Sequence, residues 1–64
     1  MTFKVGTPVY SNDFGEGEVS NISSEPGESH PITVKFNSGS AYRFRLNGQY
    51  WLTTPDEDSD IKVS

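Results

Sequence analysis

The chain contains no cysteine, which excludes a disulfide framework, a zinc ribbon and a cysteine nucleophile. Cations are also scarce: five Lys and Arg stand against nine Asp and Glu, for a net charge of −4. A general nucleic-acid binder needs a basic footprint, so that class loses weight. Apolar residues make up only 31%, and no run of them approaches the length of a membrane span. The opening Met1-Thr2-Phe3-Lys4-Val5-Gly6 carries no apolar signal core, so no secretory leader is expected and a cytoplasmic location is the default. No cofactor motif is visible: Gly15-Glu16-Gly17 lacks the third glycine and the following helix of a dinucleotide fingerprint. Helical periodicity is missing too, since no window of about eleven residues repeats apolar positions at i, i+3, i+4 and i+7.

Aromatic residues are plentiful by contrast. One Trp, three Tyr and four Phe make up 12% of the 64 residues, too many for a disordered tail. A single domain over residues 1–64 is expected, near the lower size limit for independent folding. Polar clusters at Ser11 to Asp13, Ser23 to Ser29, Asn37 to Ser40, Asn47-Gly48 and Thr53 to Asp60 cut the chain into segments of strand length. Ile32, Val34 and Phe36 alternate with Thr33 and Lys35, and Tyr42, Phe44 and Leu46 alternate with Arg43 and Arg45. Both patterns have the two-residue period of a half-buried strand. Matching apolar faces pairs Phe36 with Tyr42, Val34 with Phe44 and Ile32 with Leu46, and leaves Asn37 to Ala41 as a hairpin loop. Lys35 then faces Arg43, a like-charge pair that Glu18 on the neighbouring strand would offset.

An earlier strand over Gly17 to Ser23 holds Val19 and Ile22 at opposite parity, so it is expected to bend or bulge near Ser20-Asn21. Pro8-Val9-Tyr10 reads as a first strand, and Ile61-Lys62-Val63 as a last strand pairing with it. The expected fold is all-β, with five short antiparallel strands in a small SH3-like barrel. Its expected core is Val5, Val9, Phe14, Val19, Ile22, Ile32, Val34, Phe36, Tyr42, Phe44, Leu46, Ile61 and Val63.

The frame Val5-Gly6-Thr7-Pro8-Val9-Tyr10, then Phe14-Gly15-Glu16-Gly17-Glu18-Val19, then Ile32-Thr33-Val34-Lys35-Phe36 resembles the opening of SH3-like barrels of the Tudor and KOW type. It is similar to the C-terminal Tudor-like domain of UvrD/PcrA-type helicases, which contacts RNA polymerase, and to CarD-type polymerase-binding modules. The whole chain also resembles small proteins encoded by prophages and tailed phages of enteric bacteria, with Leu46-Asn47-Gly48 as their later turn. The resemblance covers about two thirds of the chain. It implies a small barrel in which Gly15 and Gly17 relieve a clash at the turn, and a partner in the transcription or DNA-processing machinery. The acidity of this chain, Tyr50-Trp51 and the run Asp56-Glu57-Asp58-Ser59-Asp60 depart from the helicase pattern.

Several residues have the chemistry of a site. His30, the only histidine, sits beside Ser29 and before Pro31. It could serve as a general base, but a residue closing the turn into the third strand is the stronger reading. Asp56, Asp58 and Asp60 have the one-three-five spacing of a calcium loop. Ile61 stands where that loop needs glycine, so a solvated acidic turn guarding the last strand is expected and no metal is assigned. Lys35, Arg43 and Arg45 share the outer face of the central hairpin. Tyr50 and Trp51, being adjacent, should point to opposite sides, one into the core and one outward. Tyr10, Phe14 and Trp51 would form an aromatic cage for a methylated cation only if the chain ends folded back together.

These features favour a non-catalytic interaction module over an enzyme, with Lys35, Arg43, Arg45 and Trp51 as the partner-binding surface and no cofactor. A phage or prophage protein that binds a bacterial protein is the expected setting. The alternative is a nucleic-acid-binding barrel that uses the Arg43/Arg45 sheet face, against which the net charge counts. An acidic DNA mimic would need denser acidity than nine carboxylates provide. A homodimer would cover exposed sheet edges.

Overall fold

The computed structural model describes residues 3–51, 54, 56 and 58–64. Met1 and Thr2 of the N-terminal stretch, and Thr53, Pro55 and Glu57 of the last polar cluster, lie outside the described residues, as does Leu52. Five strands follow one another: β1 Pro8–Ser11, β2 Gly15–Ile22, β3 Ile32–Phe36, β4 Ala41–Phe44 and β5 Lys62–Val63. They form one antiparallel sheet in the order β4-β3-β2-β1-β5. The described residues include no helix, and no helix is long and apolar enough to cross a membrane.

The alternation of β3 sets the core. Ile32, Val34 and Phe36 are buried, while Lys35 is exposed. Their neighbours across the sheet are Phe44 and Tyr42 on β4, and Ile22, Val19 and Gly17 on β2. β2 keeps Val19 and Ile22 on this face by slipping one residue. The register shifts between Val19 and Asn21, and the Ser20 hydroxyl donates to the Thr33 carbonyl at 3.2 Å. This is the expected bend, and it corrects the parity that a regular strand would have broken. At Gly17 a Cβ would lie 2.5 Å from the Lys35 carbonyl oxygen. β2 and β3 can approach this closely only because that atom is missing. Gly15 has open space around it but takes φ 86°, so a Cβ meets a neighbouring strand at Gly17 and strains its own backbone at Gly15.

The central hairpin differs from expectation by a two-residue shift. Ile32 faces Phe44, Val34 faces Tyr42 and Lys35 faces Ala41. The loop spans three residues rather than five: Phe36 N–H donates to Ser40 O at 2.8 Å, Gly39 N–H donates to Phe36 O at 2.9 Å, and Gly39 has φ 97°. A turn followed by a left-handed glycine is a common way to close a three-residue hairpin loop. The like-charge pair disappears with the shift. Lys35 stands opposite Glu18 on its other side, and Arg43 stands opposite Thr33.

Three expected core residues are at the surface: Val5 is 64% exposed, Leu46 66% and Val63 39%. Val5 tips a turn closed by Thr7 N–H to Lys4 O at 3.0 Å. Leu46 lies beyond the end of β4, where Gly48 N–H donates to Arg45 O and Arg45 N–H to Gln49 O, both at 2.8 Å. Phe3 takes up core volume in their place, with 7% exposure. It packs beneath Gly48, 3.1 Å from where a Cβ would stand. Half-buried Phe14, Ile22, Tyr42 and Tyr50 complete the packing, and Phe14 stacks on Tyr42 with centroids 4.2 Å apart.

The segment after β4 is tied to the residue before β5, where Ile61 N–H donates to Gly48 O at 3.0 Å. β5 is only two residues long, yet it pairs with β1 as expected, Val9 to Val63 and Tyr10 to Lys62. Polar side chains reinforce it. The buried Ser11 hydroxyl lies 2.7 Å from the Asp58 carbonyl and 3.2 Å from that of Ser59, and Asp13 N–H donates to Asp58 O at 2.8 Å. Among the described residues no buried side-chain nitrogen or oxygen lacks a hydrogen-bond partner, so these buried polar groups carry no desolvation penalty for missing bonds.

Candidate functional site

The acidic turn is less solvated than its sequence suggests. Asp60 is half-buried and accepts two backbone N–H groups, Tyr50 N at 2.9 Å and Asp56 N at 3.0 Å. Asp56 accepts Asp58 N–H on Oδ1 at 3.0 Å. Its Oδ2 accepts the Trp51 indole N–H at 3.2 Å and lies 3.1 Å from the Ser59 hydroxyl. That hydroxyl also lies 2.8 Å from Asp13 Oδ2, so its one proton is shared between two carboxylates. Two of the three aspartates spaced like calcium ligands therefore cap backbone donors instead. Among the described residues no group of three or more His, Asp or Glu is placed to hold a metal ion.

The Asp58 N–H holds the Asp56 carboxyl below its ordinary value of 3.8, with help from the Ser59 and Trp51 donors and against a smaller opposing effect of burial. A carboxyl whose pKa is lower folded than unfolded stabilises the fold well above its unfolded value. It loses that contribution as the pH falls through the lowered folded value. Asp56→Asn removes the charge while keeping the shape, so it is expected to lower the melting temperature at neutral pH and to flatten its decline below about pH 4. Thermal melts followed by circular dichroism across that range test this. Parallel curves for the variant and the wild type would show that Asp56 does not drive the acid response.

The same turn positions Trp51. Its neighbour Tyr50 packs inward against Phe14, Phe44 and Tyr42, with centroids 5.3, 5.5 and 6.2 Å away. Trp51 faces outward and is 54% exposed, tethered by its N–H to Asp56 and meeting Tyr50 edge to face at 5.4 Å. One ring packs inward and the other is exposed, as expected, but the two do not part to opposite sides: they touch edge to face and line the same cleft.

His30 fixes the other wall. A carbonyl only accepts, so the 2.8 Å contact to Tyr50 O places the proton on Nε2. Nδ1 lies 2.9 Å from the Ser29 hydroxyl. The ring straps the loop between β2 and β3 to the segment after β4. Hydroxyl and imidazole here resemble a nucleophile and its base, but the third partner is a backbone carbonyl where a triad needs an orienting acid.

Arg43, on β4, projects beside these groups with half its side chain in water and its Nη2 3.2 Å from Glu28 Oε2. His30, Arg43, Tyr50 and Trp51 together line an open cleft of about 400 Å³. Of the four residues expected at a partner surface, this cleft brings together Arg43 and Trp51. Lys35 is exposed on β3 and does not line it. Arg45 corrects the expectation of two arginines on one strand. It lies past the end of β4, is half-buried, and donates from Nη1 to Gln49 Oε1 at 3.0 Å. The aromatic cage does not form either. Tyr10 lies on the opposite face of β1 from buried Val9, with Lys62 Nζ 5.9 Å from its ring centroid, and Phe14 packs into the core. Glu28, His30 and Tyr50 gave no sign in sequence of joining Arg43. The His-Pro step suggested only a turn.

No family model, curated protein or solved structure matches this chain.

Proposed function

We propose that the chain is a non-catalytic interaction module with the build of an SH3-like barrel, and that the cleft of His30, Arg43, Tyr50 and Trp51 is its partner-binding surface. The strand order β4-β3-β2-β1-β5, the bulged β2 and the bond from Ile61, just before β5, to Gly48, after β4, support the barrel. One observation carries the surface: a large indole stays 54% exposed beside an arginine. Trp and Arg are among the residue types most enriched at the energetic centres of protein interfaces. The resemblance to polymerase-contacting modules and to small phage and prophage proteins favours a bacterial protein of the transcription or DNA-processing machinery as the partner. The nucleic-acid alternative has less support, because Arg43 faces Glu28 and Arg45 folds onto Gln49, which breaks the basic stripe it needs.

Trp51 should therefore emit at long wavelength and be readily quenched by iodide. Immobilised wild-type protein should retain a specific partner from bacterial lysate. An Arg43→Ala/Trp51→Ala variant should lose it, at a cost of about 2 kcal/mol or more in binding, while melting near the wild-type temperature. Equal recovery of the same partner by both proteins would remove the cleft from the interface.

A further inference from the structure

The arginine of the cleft already holds a carboxylate of this chain. Glu28, on the loop between β2 and β3, places Oε2 3.2 Å from Arg43 Nη2 and accepts the His30 N–H on Oε1 at 3.3 Å. Well-seated charge-assisted bonds of this kind close to about 2.7–2.9 Å. Both Glu28 contacts are longer, and the ion pair is open to water, with 51% of the Arg43 side chain and 26% of that of Glu28 exposed. An exposed pair of this sort shifts a population by at most about fivefold. The His30 wall is better anchored, held by the Tyr50 carbonyl at 2.8 Å and Ser29 at 2.9 Å.

We infer that Glu28 stands in for a ligand carboxylate, and that the cleft takes an acidic peptide segment of the partner in which an Asp or Glu adjoins an aromatic side chain. This rests on the reading of the cleft as a partner-binding surface. The incoming carboxylate replaces Glu28 on the Arg43 guanidinium, whose planar fork suits two carboxylate oxygens. The adjoining ring covers Trp51 and Tyr50. The chemistry of Arg43 favours this occupant, since it is the Lys or Arg that lines the cleft and its guanidinium already holds a carboxylate there. The carboxylates closest to the rings spend their oxygens on the turn's own donors, Asp56 on Asp58, Trp51 and Ser59 and Asp60 on two backbone N–H groups, which leaves Glu28 as the carboxylate on Arg43.

The test is a nitrogen-15 NMR titration with three capped dipeptides, acetyl-Asp-Phe-amide, acetyl-Asn-Phe-amide and acetyl-Lys-Phe-amide, and with oligothymidylate. The acidic peptide should shift the amides of Glu28, His30, Arg43 and Trp51 saturably, and bind several-fold more tightly than the Asn peptide. Glu28→Gln keeps the shape of a half-buried side chain while removing its charge; it should tighten the acidic peptide about threefold to fivefold, leave the Asn peptide unchanged and melt near the wild-type temperature. Equal binding of all three peptides, a preference for the Lys peptide, or saturable shifts with oligothymidylate alone would overturn the inference. If no probe moves these amides while Arg43→Ala/Trp51→Ala still loses its lysate partner, the ligand class is wrong and the partner surface stands. If that variant also keeps its partner, both readings fall.

Discussion

Phe44→Ala is expected to leave the protein largely unfolded at room temperature. Phe44 has no exposed surface and faces Ile32 across the β3–β4 pair. Its ring lies 5.5 Å from Tyr50, 6.1 Å from Phe36 and 6.2 Å from Phe14, centroid to centroid. Those four aromatic rings fill the space between the central hairpin and the turn after β1. Truncating a buried Phe costs about 3–5 kcal/mol through lost transfer energy and an unfilled cavity. A core of this size supplies about 3–5 kcal/mol in total, so the substitution consumes the whole margin. Far-UV circular dichroism of the variant should show no cooperative melt. A cooperative transition within a few degrees of the wild type would mean that the ring cluster is not the source of stability.

Gly48→Ala should be nearly as damaging, for a different reason. Gly48 is buried, has φ 90°, and a Cβ there would lie 2.8 Å from Ile61 O and 3.1 Å from Phe3 Cζ. The left-handed conformation costs a residue with a Cβ about 1–2 kcal/mol, and overpacking against a fixed backbone oxygen adds about 1–3 kcal/mol. The oxygen belongs to the residue whose N–H donates to Gly48 O, so relief of the clash loosens the bond that ties the segment after β4 to the start of β5. A urea titration should show a much lower midpoint. An unchanged midpoint would mean that this junction is dispensable.

Much of the sheet was legible because two-residue alternation is a strong local signal. It located β3 and β4, the bend in β2 and the pairing of the first and last strands. It left the register of the central hairpin open, since a shift of two residues still sets apolar opposite apolar. The choice was made by Gly39, whose positive φ closes the loop at Phe36 and Ser40. The alternation also ran past the true end of β4, where the turn before Gly48 overrides it and exposes Leu46. Phe3 had no periodic neighbours to mark it as core. At the cleft, Arg43 and Trp51 were legible as residue types that bind partners. Glu28 and His30 were not, because they reach the site through contacts with Arg43 and Tyr50, which lie far away in the chain and leave no local period.

The short β5 and its polar fastening also bear on the order in which the molecule assembles. The hairpins β1–β2 and β3–β4 join neighbours in sequence, whereas β5 joins strands from opposite ends of the chain through two residue pairs. Closing so long a loop early brings little reward for its entropy cost. Ser11 and Asp13 meet the Asp58 carbonyl only once both partners are in place. This fastening is therefore expected to form late in folding, and interactions made after the rate-limiting step chiefly set how slowly a protein comes apart. Loosening the acidic turn, as by Ser11→Ala, should accordingly speed unfolding more than it slows refolding, which stopped-flow rates would show.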